Sequence, residues 1–448
     1  MGKTTHTGLI RGIRRWDLVA VAINGIIGAG IFGLPSKVFA LIGPYSLLAF
    51  VVCALVVAMI VLCFAEVGSR FSETGGPYLY AREAFGPVTG FEVGWLMWLA
   101  RLTAFSANCN LLIDYLGYFH QEIAVGWLRV TVIIVVVASL TIINVVGVRN
   151  AALFSDVFSV GKLIPIALFI IVGLFFINPQ NFQATAQPAP LALSSFSQSV
   201  LLLVYAFTGF EMAIIPAGET RDPQRNLPFA ILASLGVVAV VYILIQVVCI
   251  GTLPELAASN RPLADAGERF MGAIGASVIT AGAVISITGN LSVVILAAAR
   301  LPFAMADKGE LPRLFAATHR NFRTPHVAII VTGAVMLALT LFGNFISSLT
   351  VSTIARLLAY FVTCAGLIVL RRRDQQREDF KAQFKAPAGV AVSIAALGLI
   401  IWLLTNSAGR EAQDATIAAI TGLVIFGAYK LTKRKSAIEE VVKSTKAS

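Results

Sequence analysis

Hydrophobic residues in this chain gather in long stretches that are separated by short polar segments. Each stretch runs for about 17 to 25 residues, the length that an α-helix needs to cross a hydrocarbon core of about 30 Å. We count about twelve such stretches, which predict an all-α integral membrane protein with about twelve transmembrane helices. The stretches start near residues 17, 44, 88, 129, 156, 198, 228, 270, 327, 347, 388 and 413.

Two of these stretches are interrupted near their middles by small residues. The first break reads Asn24-Gly25-Ile26-Ile27-Gly28-Ala29-Gly30, and the second reads Tyr205-Ala206-Phe207-Thr208-Gly209. An unpaired backbone amide or carbonyl is costly in lipid, so a broken helix is stable only where it lines a buried or watery cavity. Two breaks in corresponding halves of a chain therefore indicate the binding site of a secondary transporter. Glycines that serve only as helix packing contacts are the alternative interpretation.

The spacing of the breaks predicts an internal repeat. The breaks lie about 180 residues apart, and each opens a set of five stretches, so the two sets have opposite orientations and form a 5+5 inverted repeat. The site of such a repeat lies near the membrane midplane. The predicted divisions are a cytoplasmic N-terminus (1–16), a first five-helix repeat (17–180), a second, inverted repeat (196–373), helices 11 and 12 (386–430) and a cytoplasmic tail (431–448) that is a frayed helix or disordered.

Composition supports a membrane protein, and the charge distribution predicts its orientation. Only 13% of the residues are charged and the mean hydropathy is +0.85, whereas soluble chains carry roughly 25% charged residues. With both termini inside, about 26 basic residues fall in cytoplasmic segments and about five in outer segments. The net charge of +11 therefore orients the protein in a plasma or bacterial inner membrane, and it does not indicate a nucleic-acid partner.

The chemistry of the breaks suits a zwitterion. The half-helix after the first break begins with unpaired N–H groups and the positive end of the helix dipole, which favour a carboxylate. Its predicted amides are those of Gly28, Ala29 and Gly30. The predicted carbonyls for an ammonium group are those of Ile26 and of the segment Ala206, Phe207 and Thr208 beside Gly209. Tyr205 or Phe207 is predicted to cover the pocket.

Three further segments accompany the Gly28–Phe32 break: Ser72-Glu73-Thr74-Gly75-Gly76-Pro77-Tyr78, Glu219-Thr220-Arg221-Asp222-Pro223 and Arg300–Gly309. With these motifs, the chain resembles the amino acid–polyamine–organocation (APC) superfamily over about residues 15 to 373. The resemblance implies the leucine-transporter fold with broken helices 1 and 6, and a substrate that carries a carboxylate and an ammonium group. It also implies that the third helix lines the pocket, here with Phe105 and Asn108.

Four charged residues stand out inside predicted spans, where each is a functional hypothesis. Lys162 resembles the fifth-helix lysine of proton-coupled and exchanging APC members, and it either titrates during transport or tethers the broken first helix. Glu211 is predicted to gate, pair with a cation or carry a proton, with a purely structural carboxylate as the alternative. Arg101 either recognises an acidic side chain or pairs with Glu211 or Glu92, and pairing is favoured. Arg356 is predicted near the outer end of the pathway, as a gate charge or an interfacial snorkeller.

Asn290 in the eighth span is predicted to face the substrate, with interhelical hydrogen bonding as the commoner use of such a residue. Hydroxyls in that span would suit sodium, but Lys162 would repel a second cation, so sodium coupling is disfavoured. The cysteines and histidines are scattered, so no metal site is predicted, and we expect no cofactor.

These patterns together predict a secondary active amino acid transporter that works by alternating access, with proton symport favoured. The alternatives are an amino acid exchanger, a permease for polyamines or other organic cations, and a non-transporting amino acid sensor. An enzyme is not predicted. The expected partners are an amino acid, protons and the lipid bilayer, and whether the protein forms a homodimer is left open. The outer loop from Tyr118 to Arg129 lacks a cysteine, so no disulfide-linked accessory subunit is expected.

Overall fold

The computed structural model describes residues 13–71, 76–146, 151–183, 192–214, 220–374, 381–407 and 409–447, with the backbone alone for 151–160 and 432–447. Parts of two motif segments, residues 72–75 and 219, lie outside these ranges. The α-helices are α1 Arg15–Ile26, α2 Gly30–Ile42, α3 Ser46–Gly68, α4 Gly76–Phe85, α5 Pro87–Leu116, α6 Gly126–Val146, α7 Ala151–Gly173, α8 Leu193–Phe207, α9 Pro223–Thr252, α10 Pro262–Asp307, α11 His326–Phe342, α12 Phe345–Arg373, α13 Gly389–Thr405 and α14 Gly409–Ala447.

The predicted apolar stretches coincide with helices. Within the described ranges, eight helical segments are long and apolar enough to cross a membrane, and three shorter apolar helices accompany them. The β pairing found in the same ranges is a single bridge between Ile13 and Thr220. The protein is therefore an all-α, multi-pass membrane protein, as predicted, while the number of crossings and the inverted repeat stay predictions.

Both predicted breaks interrupt helices at the expected residues. In the first, α1 ends at Ile26 and α2 begins at Gly30. In the second, α8 ends at Phe207 and the backbone passes through Gly209 with a φ of 109° into one 3₁₀ turn, Phe210–Ala213. A positive φ of this size is readily adopted only by glycine, so the residue type at Gly209 determines where the helix stops.

Two helices differ in extent from the predicted stretches. Gly272, with a φ of 66°, bends α10, so that its first ten residues form a short arm before the apolar span. This bend agrees with the predicted start of the eighth stretch near residue 270. At the other end of the chain, α14 continues to Ala447, so the backbone of the tail is helical.

The centre of the molecule is built around α5. This helix is buried along almost its whole length and packs against α10, α11 and α12, whereas α6 and α14 leave most of their apolar surface uncovered. The half-helices α1, α2 and α8 meet at this centre, with α9 and α12 against them. The two breaks therefore lie inside the bundle, where they are shielded from lipid as a broken helix requires.

Ionic clusters join helix ends at the side predicted to be cytoplasmic. Arg371 of α12 donates two hydrogen bonds to Glu66 of α3, at 2.5 and 2.6 Å. Arg82 of α4 donates to Glu310 at 2.9 Å, and the hydroxyl of Tyr78 donates to the same carboxylate at 2.8 Å. Burial, together with Glu310, raises the pKa of Tyr78 to about 12, so this hydroxyl keeps its proton at neutral pH.

Candidate substrate site at the two helix breaks

The two breaks touch each other through glycines. A methyl group added to Gly209 would lie 2.2 Å from the carbonyl oxygen of Gly25, and one added to Gly25 would lie 2.7 Å from the carbonyl oxygen of Gly209. The start of α2 packs as closely on the end of α8, because a methyl group on Gly30 would lie 2.9 Å from the Cα of Ala206. Small residues therefore bring the two interrupted backbones together, which is the arrangement that a backbone-lined site needs.

Tyr242 of α9 bridges the two breaks. Its hydroxyl lies 3.0 Å from the carbonyl oxygen of Ile26 and 3.1 Å from that of Ala206, and its side chain is fully buried. Both carbonyls were predicted to bind the ammonium group of the substrate, and a single O–H can donate fully to only one of them. Tyr242 was not among the residues predicted from the sequence. The signal in the sequence is the tyrosine hydroxyl in an otherwise apolar stretch. A buried tyrosine hydroxyl usually finds a hydrogen-bond partner, so its position indicates a polar group nearby.

A chain of polar side chains runs from α8 through α5 to α10. The hydroxyl of Tyr205 donates to Oδ1 of Asn108 at 2.5 Å, and Nδ2 of Asn108 donates to Oδ1 of Asn290 at 2.8 Å. Asn290 in turn lies against the first break, since a methyl group on Gly28 would be 3.1 Å from its Nδ2. Phe105, on α5, is fully buried in the apolar core. Three predicted side chains and a predicted glycine thus form one connected group.

The other predicted residues of the breaks are held by local contacts. Ala29 is the residue before α2 and already has helical dihedral angles. The hydroxyl of Thr208 donates to the carbonyl of Tyr205 at 2.7 Å. The ring of Phe207 packs edge to face on Tyr242, with 5.2 Å between the ring centroids. These contacts stabilise the end of α8.

Lys162 of α7 binds the carbonyl end of α1. Its ammonium group donates to the carbonyl oxygens of Asn24 at 2.7 Å and of Ile27 at 2.6 Å, and the residue is 3% exposed. The last carbonyls of a helix lack partners within the helix, and the helix dipole is negative at this end, so a cation is stabilised there. Of the two predicted roles, this geometry matches the tether of the broken first helix.

Glu211 accepts three hydrogen bonds directly after the second break. The donors are the backbone N–H of Gly209 at 2.9 Å, Nη1 of Arg356 at 2.6 Å and the hydroxyl of Tyr360 at 3.1 Å. Arg356, which was predicted near the outer end of the pathway, forms a buried ion pair with Glu211 beside the break, and its place along the pathway stays a prediction. Tyr360 was not predicted from the sequence either, although it follows Arg356 by one helical turn and so shares its face.

Arg101 has no such partner. It is 5% exposed, its Nη1 lies 3.9 Å from the sulfur of Met212, and its Nε has no hydrogen-bond partner among the described residues. The favoured pairing with Glu211 or Glu92 is not observed. Glu211 pairs with Arg356 instead, and both carboxylate oxygens of Glu92 lack a hydrogen-bond partner within the described ranges.

Comparison with known proteins places the chain in a family. The profile of the family described as "Amino acid permease" matches residues 13–426. The chain is 28% identical to the methylthioribose transporter of Bacillus subtilis (strain 168) over 440 residues, 94% of each chain. It is 26% identical to the serine/threonine exchanger SteT of the same organism, over 97% of this chain and 99% of the relative. It is also 26% identical to the b(0,+)-type amino acid transporter 1 of Mus musculus, over 95% and 90%.

These relatives are permeases and transporters rather than enzymes, and the resemblance predicted from the motifs is confirmed. The match begins before α1 and ends within α14, so it includes both breaks and every side chain described around them. The chain therefore belongs to the amino acid permease family of the APC superfamily.

Proposed function

We propose that this chain is a secondary active amino acid transporter whose substrate binds between the two helix breaks. The observation that carries the proposal is the contact of the breaks at Gly25 and Gly209. It brings the N–H groups that open α2 close to the carbonyl groups that close α1 and α8. An amino acid backbone carries one negative and one positive group, and these N–H and carbonyl groups at the ends of the half-helices match it.

In this proposal the carboxylate accepts hydrogen bonds from the amides of Gly28, Ala29 and Gly30. The ammonium group binds the carbonyls of Ile26 and of the segment 206–208, and so takes over the acceptors that the hydroxyl of Tyr242 now occupies. The polar chain formed by Tyr205, Asn108 and Asn290 lies beside Gly28, where it would contact the side chain of the substrate.

Transport requires that the breaks open to each side in turn, and α2 is the element we expect to move. At the side predicted to be outside, the hydroxyl of Tyr115 donates to the carbonyl of Phe32 at 2.8 Å, and Lys37 donates to Asn260 at 2.8 Å. We propose that these contacts close the outer side and break when the protein opens outward. The two repeats at 17–180 and 196–373, the cytoplasmic termini and the plasma or inner membrane belong to the same proposal.

The charges around the breaks favour an amino acid over a polyamine. Among the described residues, Lys162, Arg101 and Arg356 bring three buried positive charges near the breaks, against the single carboxylate of Glu211. A polycationic substrate would be repelled there, because like charges in a region of low dielectric constant interact strongly. A free amino acid is electrically neutral or carries one charge, so the site tolerates it.

Proton symport is the energy source we propose, with Lys162 as the coupling group. Exchange is the alternative, and one relative is named a serine/threonine exchanger. In both cases the positive charge of Lys162 holds the end of α1 when the ammonium group is bound to Asn24 and Ile27. Loss of that charge would release α1. We propose no disulfide-linked accessory subunit, and whether the protein forms a homodimer is an open question.

The test is uptake into proteoliposomes of a panel of labelled amino acids, with and without an inward proton gradient. Wild type is compared with Lys162→Ala and with the matched control Lys385→Ala, which removes an exposed lysine. Uptake that rises with the gradient and is lost only in Lys162→Ala supports symport. Uptake that needs only unlabelled amino acid inside makes the protein an exchanger with Lys162 as a tether. Binding without any uptake contradicts transport and favours a sensor.

A further inference from the structure

Among the described residues, the buried positive charge of Arg101 beside the breaks is matched neither by a carboxylate nor by the carbonyl groups of a helix end. The ion pair of Glu211 and Arg356 is neutral, and Glu211 also accepts hydrogen bonds from Gly209 and Tyr360. Arg101 adds a second guanidinium to the same buried region. A buried charge without a partner is strongly unfavourable, so a negative group that joins Arg101 during the working cycle would remove a large penalty.

The side chain of Met212 lies between the guanidinium of Arg101 and the first break. Its Nη1 is 3.9 Å from the sulfur of Met212. The Cβ of Met212 is 3.1 Å from the position of a methyl group added to Gly25. Asn108 follows Arg101 by seven residues on α5, so the two side chains project from the same face of that helix. Arg101 therefore faces the region where we propose that the substrate binds.

Met212 is a poor partner for a guanidinium and an easily moved one. A thioether sulfur is only a weak acceptor, whereas an arginine presents five N–H donors in a planar fork. A methionine side chain is also unbranched and adapts its conformation readily. The only hydrogen-bond contact described for Arg101 is thus weak, while Nε is buried without a partner among the described residues.

We propose that Arg101 binds the distal carboxylate of an acidic amino acid, so that dicarboxylic amino acids are the preferred substrates. This inference rests on the proposed function, because the α-carboxylate and the ammonium group must occupy the breaks. The distal carboxylate displaces the sulfur of Met212 and accepts hydrogen bonds from the guanidinium fork, the geometry in which arginine binds carboxylates most strongly. The bound substrate has a net charge of minus one, which balances the charge of Arg101.

A different role would leave a different signature. In another conformation Arg101 could take Glu211 from Arg356 and act as a gate. A gate residue affects the transport of every substrate alike, whereas a recognition residue changes the ratio of affinities between an acid and its amide. Aspartate and asparagine, or glutamate and glutamine, are matched in size and differ in the charge that Arg101 would bind.

The experiment measures dissociation constants of these four amino acids for the full-length protein in nanodiscs. The variants are Arg101→Gln, Arg101→Lys and the exposed control Arg313→Gln. Wild type and the control should bind at least one acid about tenfold or more tightly than its amide, the factor expected for a charge-assisted hydrogen bond. Arg101→Gln should lose this preference, and Arg101→Lys should keep part of it.

Several results overturn the proposal. If wild type binds the amides as tightly as the acids, the inference fails even when Arg101→Gln does not fold. If Arg101→Gln slows uptake of all substrates and keeps the ratio of affinities, Arg101 is a gate residue. Binding of neutral amino acids without acids refutes this inference but leaves the proposed function intact. Binding of none of the twenty amino acids refutes both.

Discussion

Replacing Gly209 with alanine tests whether the two breaks are in contact. The substitution adds one methyl group at a backbone position with a φ of 109°. The added methyl would lie 2.2 Å from the carbonyl oxygen of Gly25 and 2.6 Å from its carbonyl carbon. Both partners are backbone atoms, so the overlap cannot be relieved by a change of rotamer. The end of α1 must move away from the end of α8.

Two costs follow from this geometry. A residue other than glycine held in a sparsely populated backbone region costs about 1 to 3 kcal/mol. Overpacking by one methyl group in a buried region costs about 1 to 3 kcal/mol more. We therefore expect Gly209→Ala to lose about 2 to 6 kcal/mol of stability. The matched control is Gly236→Ala in α9, where an added methyl meets no atom within 4 Å and a gain of about 0.5 to 1 kcal/mol is expected.

The assay is thermal unfolding in nanodiscs at one fixed scan rate, since unfolding of large proteins is often irreversible and then depends on the rate of heating. Substrate affinity is measured on the same samples. Gly209→Ala should melt at a lower temperature than wild type and bind substrate weakly, whereas Gly236→Ala should match or exceed wild type in both. A Gly209→Ala protein with the melting temperature and affinity of wild type would refute the contact between the breaks.

Three further predictions concern the hydrogen-bonded residues around the site and at the predicted cytoplasmic side. Glu211→Gln should lower the stability of the folded protein by about 3 to 5 kcal/mol, because it leaves Arg356 buried and unpaired. The double variant with Arg356→Gln should recover part of that loss in the same melting assay. Losses that simply add in the double variant would contradict the pairing. Tyr242→Phe should lower the melting temperature of the protein without substrate. It should also tighten substrate binding by up to about tenfold, since the ammonium group no longer competes with a hydroxyl for the carbonyl oxygens. Weaker binding would argue against this competition. The raised pKa of Tyr78, about 12 against an ordinary 10, means that its hydroxyl stabilises the folded state fully below pH 10 and loses this effect as the pH rises towards 12. Between pH 9 and 11 the melting temperature of wild type should therefore fall more steeply than that of Tyr78→Phe, and parallel curves would show that burial and Glu310 do not raise the pKa of Tyr78 in the folded state.

The position of the breaks could be predicted from the sequence because the physical constraint is severe. In lipid a helix that stops must place its unpaired groups inside the protein, and a close approach of backbones requires small residues. Gly28, Gly30 and Gly209 satisfy both requirements, and the helices stop beside them. The connected group of Asn108 and Asn290 could be anticipated only in part, since Asn108 was expected from the resemblance and Asn290 from its place in the eighth span.

The partners of the buried charges could not be predicted in the same way. A hydropathy pattern shows that Arg356 lies in a span, but its depth and direction depend on how α12 packs against helices far away in sequence. Glu211 and Arg356 are separated by 145 residues, and no local pattern relates them. Tyr242 is similar, because its bonds to Ile26 and Ala206 join three elements whose contact is set by tertiary packing.

The distribution of partners around the breaks nevertheless follows one electrostatic rule. Lys162 is held by carbonyl groups at the end of α1, where the helix dipole stabilises a cation without a carboxylate. That arrangement leaves the carboxylate of Glu211 to Arg356. Arg101 is then the cation for which neither a helix end nor a carboxylate is in place among the described residues. If a substrate supplies its negative charge, the binding of an acidic amino acid balances the charge of Arg101, and the protein becomes most stable when that substrate is bound.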